Sequence, residues 1–218
     1  MRFMMTLAAA VLAVMMVGPA WAAMCGSGGD KNGAYYSNGG GWVQYTAQVA
    51  NTVKVEFGAY VCYNAEVSGN AVIGRGSMIN GYATVSGNAV IRTSMVGNNA
   101  SISGNARMVS ANLSGTARVS GNAKILNDAH VHDNAQVYGS AKVSGPRTRI
   151  RGNAEVFGTA VVRNAVIEGN GKINCGRWVG VTVTDDQTGK CGKNGSSGST
   201  NLTDVLSNPI NDENTESN

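Results

Sequence analysis

Aliphatic residues recur at almost every sixth position along this chain. They run Val43, Val49, Val55, Val61, Val67, Ile73, Ile79, Val85 and Ile91 without a break. They continue through Val96, Ile102, Met108, Leu113, Val119, Ile125, Val131, Val137, Val143, Ile150, Val156, Val162, Ile167 and Ile173. Alanine usually stands two positions before the next anchor, and a glycine and a small polar residue lie between, as in Val85-Ser-Gly-Asn-Ala89. A helix would bring apolar residues round every three or four positions. A period of six predicts very short strands joined by tight corners, each strand turning one side chain inward.

Four steps depart from the period. Those leaving Ile91, Met108 and Val162 are one residue short, and the one leaving Val143 is one residue long. Counted in threes, all four fall in the same third of the cycle. The repeating unit is therefore about 18 residues, three strands to a turn, with one irregular corner. The anchor points inward and alanine fills the narrow space beside a corner. Glycine supplies the positive φ of the bend, and the residues flanking an anchor face outward. The pattern predicts an all-β triangular solenoid of about seven coils.

These aliphatic-x-Gly-x-Ala-x hexads resemble the hexapeptide-repeat family of left-handed parallel β-helices, over residues 43–178. The resemblance implies the left-handed winding, which periodicity alone does not supply. It also implies acyl transfer as one activity, with a histidine as general base, and a homotrimer as an assembly. The chain departs from the acyltransferases of that family in lacking a long loop thrown out of a coil.

Outside the repeats, residues 1–22 read as a signal peptide: Arg2, an apolar run from Phe3 to Val17, then Ala20-Trp21-Ala22. Export through a Sec-type route to the periplasm, the cell surface or the medium is the expectation. Residues 23–42 form an N-terminal cap in which Tyr35, Tyr36 and Trp42 cover the first coil. Residues 179–192 form a C-terminal cap, and residues 193–218 a polar, disordered tail. In an exported chain four cysteines favour bridges, and proximity to each end pairs Cys25 with Cys62 and Cys175 with Cys191.

Net charge is +4, but its distribution matters more. Residues 23–200 hold 16 Lys and Arg against nine Asp and Glu, and the tail is acidic. One face, built on Ile73, Ile91, Met108, Ile125, Val143 and Val162, turns Arg92, Arg107, Lys124, Lys142 and Arg163 outward among aliphatic residues. Arg147 and Arg149 lie at the irregular corner beside it. This aliphatic-basic face is the candidate contact surface for an anionic polysaccharide or another protein chain; nucleic acid is not expected. A second face offers Thr84, Ser86, Ser101 and Ser103. The third carries the only histidines, His130 and His132, candidate bases under the acyltransferase alternative. Two histidines supply too few ligands for a metal site of their own. No cofactor is expected, and the leading expectation is a non-enzymatic binding or structural module of the cell envelope.

Overall fold

The computed structural model describes Cys25 and residues 32–191. The signal-peptide and disordered-tail expectations lie outside the described residues. The described chain is all-β, a parallel solenoid of about eight turns spaced roughly 18 residues apart. Its strands are two or three residues long and stack into three sheets, of ten, eight and eight strands. The all-β solenoid is as expected, with about eight turns against about seven. Trp178 and Val183 continue the inward rows, in register with Val162 and Ile167, so the segment read as a cap contributes another turn.

Each turn buries three anchors and their alanines. Ile73, Ile91, Met108, Ile125, Val143 and Val162 form one continuous inward row, none more than 1 % exposed. Trp178 fills the last coil of that row, its indole nitrogen donating to the Cys175 carbonyl at 2.8 Å. Trp42, expected over the open first coil, instead stands outward on a side face, in register with Tyr60. Tyr36 does the covering, with its hydroxyl donating to the Ala50 carbonyl at 2.6 Å.

Two corners of the triangle are regular and the third is not. At one regular corner glycines stack on glycines, Gly69, Gly87, Gly104, Gly121 and Gly139, all with φ near +70°. The asparagines after them form an amide ladder, Asn70 to Asn88 at 3.4 Å, Asn88 to Asn105 at 2.9 Å and Asn105 to Asn122 at 3.2 Å. The irregular corner follows the strands Val90–Arg92, Arg107–Val109, Lys142–Ser144 and Val161–Arg163, where the four off-period steps lie. Here Thr93, Ser110, Asn127 and Asn164 take the positive φ. Here too lie the four buried polar residues among those described, Ser77, Ser94, Ser144 and Thr148.

A solenoid leaves strand edges open at both ends, an invitation to stack on another copy. Among the described residues, each sheet is covered once by the chain itself. Strand Gly33–Tyr35 pairs antiparallel with the first edge of the ten-stranded sheet. Gly40 bridges to Glu56 on the first edge of a second sheet, and Asp186 bridges to Lys172 on the last edge of the third. Head-to-tail stacking would therefore set a covered edge against an open one in every sheet.

The cysteines pair as expected, Cys25 with Cys62 and Cys175 with Cys191, with Cα atoms 5.3 and 4.9 Å apart. The second bridge holds the strap that covers the third sheet. Converting Cys175 and Cys191 together to Ser is expected to lower stability by about 3 kcal/mol. It should also speed hydrogen exchange at the Gln187 amide, which donates to the Lys172 carbonyl at 2.8 Å. Unchanged exchange there would show that the strap holds without its disulfide.

Candidate anion-binding face

The basic sheet consists of Lys54–Val55, Val72–Ile73, Val90–Arg92, Arg107–Val109, Lys124–Leu126, Lys142–Ser144, Val161–Arg163 and Arg177–Val179. Parallel register decides what sits beside what. Arg107 pairs with Lys124 and Lys124 with Lys142, so three cations occupy one outward column on consecutive coils. Neighbouring strands are about 4.8 Å apart, which makes this a ladder about 10 Å long. The parallel column reads Arg92, Val109, Leu126, Ser144 and Arg163. Its two arginines are about 19 Å apart along the solenoid axis. Val109 and Leu126 are half-buried beside the ladder, while Arg107, Lys124 and Lys142 are exposed. None of these three has an acidic partner among the described residues.

The sheet brings together Arg92, Arg107, Lys124, Lys142 and Arg163. It does not include the other two candidates. Arg149 begins a strand of the ten-stranded sheet, in register with His130, and Arg147 is exposed on the turn before it. The Arg149 guanidinium donates to the Pro146 and Thr148 carbonyls, each at 3.0 Å, which ties it to the corner.

Two further cations belong to the sheet that sequence reasoning left off. Arg177 stands in register with Val161 and extends the face by one coil. Its signal was the five-residue step from Ile173 to Trp178, which keeps Trp178 as an anchor. Lys54 lies at the other end, paired with Glu56 at 3.6 Å. Glu56 is thus a carboxylate on an otherwise basic and aliphatic face. It also accepts from the Arg75 amide at 3.3 Å, and it sits three strands away from the cation ladder.

The histidine face is arranged differently. His130 lies half-buried between Asn112 and Arg149 on adjacent strands. Burial first, then the Arg149 and His132 charges, hold its pKa below the ordinary histidine value, against a smaller opposing pull from Asp128. His132 contacts Asp133 through Nδ1 at 3.1 Å. Asp133 in turn accepts from the Gly152 amide at 3.0 Å, and these two contacts depress its pKa. The His130 ring is therefore neutral at pH 7 and able to accept a proton.

A lowered His130 pKa means that the unfolded chain binds this proton more readily than the folded one. Stability is then expected to fall as pH drops below about 6.5, and His130→Asn should remove that part of the slope. Thermal melts of both proteins between about pH 7.5 and 5 check it. Parallel curves would show that His130 has no share in the dependence.

No known protein family matches the sequence, and no curated protein is significantly similar to it. Among the described residues no helix is long and apolar enough to cross a membrane. No three His, Cys, Asp or Glu side chains converge among them as a metal-binding group.

Proposed function

We propose that this protein is an exported, non-enzymatic β-helical module of the hexapeptide-repeat type, wound left-handed, that binds a linear anionic polysaccharide along its basic face. The observation carrying this reading is the in-register ladder Arg107, Lys124 and Lys142. Like charges directly opposite each other on a sheet are destabilising, so folding alone gives no reason for three in a row. A polyanion laid along the axis relieves that repulsion and meets Arg92 and Arg163 beyond the ladder. The aliphatic groups beside it cover the stems of the long cationic side chains. Export is supported by the two cysteine pairs at bonding distance, which suit an oxidising compartment.

Dextran sulfate is a suitable probe, with uncharged dextran as its control. Binding should weaken by about a hundredfold as salt rises from about 50 to about 200 mM, as expected when roughly four cations release counterions. Equal binding of the charged and uncharged polymers would defeat the proposal.

The alternative, acyl transfer with His130 as general base, draws on that neutral ring. Binding of acyl-coenzyme A by calorimetry, coupled to a turnover lost in His130→Ala, would favour it.

A further inference from the structure

The first five strands of the ten-stranded sheet carry a second surface of quite different chemistry. They are Gly33–Tyr35, Trp42–Gln44, Tyr60–Val61, Met78–Ile79 and Met95–Val96. Register places Tyr35, Trp42, Tyr60, Met78 and Met95 in one outward column. Tyr35 and Met95 are 59 % and 48 % exposed, and the three between them are half-buried. Tyr35 meets Trp42 edge to face, with ring centroids 5.4 Å apart. Gly33 holds the indole in place: a β-carbon on it would lie 2.8 Å from the Trp42 ring. Tyr63 and Tyr82 project from the adjoining corner, and Tyr82 is 67 % exposed.

The core asks nothing of this column. Val61, Ile79 and Val96 already fill the inside of the same strands. Further along the sheet the equivalent outward positions are Asn112, His130, Arg149, Val166 and Thr182, which shows that the fold accepts polar or charged residues there.

Charge selects the occupant. From Trp42 to Asn112 neither outward column of the sheet contains Lys, Arg, Asp or Glu; the second column holds the amides of Gln44 and Asn80 and, between them, Cys62, buried under its bridge to Cys25. A polyanion has a better surface on the basic face. A lipid or an aliphatic protein surface would strip those amides and the tyrosine hydroxyls of water without replacing their hydrogen bonds. A sugar chain satisfies both demands. Its C–H faces stack on the electron-rich ring faces, and its hydroxyls meet the amides and phenols. Successive side chains rise by about 4.8 Å per coil, close to the length of one sugar ring.

We propose that this uncharged aromatic surface, centred on Trp42, Tyr60 and Tyr82, binds an uncharged polysaccharide by stacking, at a site separate from the basic face. The surface is independent of the polyanion reading, because the two lie on different sheets.

Affinity electrophoresis of the native protein through gels holding hydroxyethylcellulose, laminarin or galactomannan tests this. At least one of the three should retard the chain, and added salt should leave the retardation unchanged. Tyr60→Ala and Tyr82→Ala should each weaken it by about tenfold. Tyr82 is so exposed that its variant folds as the parent does, and thermal melts of both variants check this. Joint charge reversal of Arg107, Lys124 and Lys142 should leave the retardation intact. Passage unretarded through all three gels overturns the proposal. So does retardation that salt or the charge reversal abolishes. A concentration-dependent dimer lost in Tyr60→Ala overturns it as well, by assigning the surface to contact between copies.

Discussion

Gly87→Ala is expected to destabilise the solenoid by roughly 2–4 kcal/mol, whereas Gly76→Asn should change its stability by less than about 1 kcal/mol. Both glycines have φ of +73°, so a survey of backbone angles would rank them alike. Their neighbours differ. A β-carbon at Gly87 would lie 2.7 Å from the Gly104 carbonyl oxygen and 2.9 Å from its nitrogen. Those atoms belong to the backbone of the next coil, which is held in turn by Gly121 and cannot yield alone. A β-carbon at Gly76 meets nothing nearer than the Thr93 Cα at 3.5 Å, an ordinary contact. Asparagine is also among the residues that tolerate a left-handed conformation best. Chemical denaturation of the two variants measures the difference. Equal losses would mean that conformational strain dominates and that stacking of the coils adds nothing.

The same contrast explains why the sequence pattern breaks where it does. At the regular corner glycine sits on glycine from Gly69 to Gly139, and over that stretch every step across it is six residues; the five-residue step from Ile173 to Trp178 comes past the end of the stack, where Gly158 faces Asn174. At the irregular corner the fit varies from coil to coil, open at Gly76 and close at Gly145, where a β-carbon would run into Asn164 Oδ1. Thr93, Ser110 and Asn164 replace glycine there while steps of five and seven residues occur. Two buried polar atoms without a hydrogen-bond partner among the described residues, Ser77 Oγ and Asn164 Oδ1, lie at this corner too. Variation therefore collects where packing is least exacting. The off-period hexads mark a permissive corner, and the positions proposed to face ligands lie on the flat sheets to either side of it.

Fold and site were legible to different depths for a related reason. An anchor such as Ile125 has one role at one period, so the inward rows and the three faces could be read residue by residue. The ends obey no such period. Trp178 is neither Val nor Ile and follows a shortened step, which concealed the last coil and with it Arg177. Trp42 belongs by residue type to a cap and by register to a side face. Yet Trp42, Tyr60, Met78 and Met95 each precede an anchor of one row, Val43, Val61, Ile79 and Val96, so the column follows from the period once Trp42 is taken out of the cap. Glu56 was missed because the basic face was counted from Ile73, one coil too late.

Charge reversal of Arg107, Lys124 and Lys142 together to Glu is expected to abolish binding of dextran sulfate, and replacement by Gln to weaken it sharply while flattening its salt dependence. Each cation removed takes about one unit from the slope of log affinity against log salt, so the Gln variant should lose about three. Stability should move the other way. Cations opposite one another in register repel by roughly 0.2–1 kcal/mol per pair, and the ladder contains two such pairs. The Gln variant is therefore expected to melt slightly higher than the parent while binding far less. A purely structural ladder would lose stability on neutralisation, and a merely solvated one would change neither quantity. Arg118 supplies the control, being an exposed arginine on the third sheet, between Ser101 and Gln136. Arg118→Glu alters net charge without touching the ladder and should leave most of the affinity in place. If Arg118→Glu weakened binding as much as Lys124→Glu, the attraction would belong to the charge of the whole molecule. Unequal losses place it in the column that register assembles.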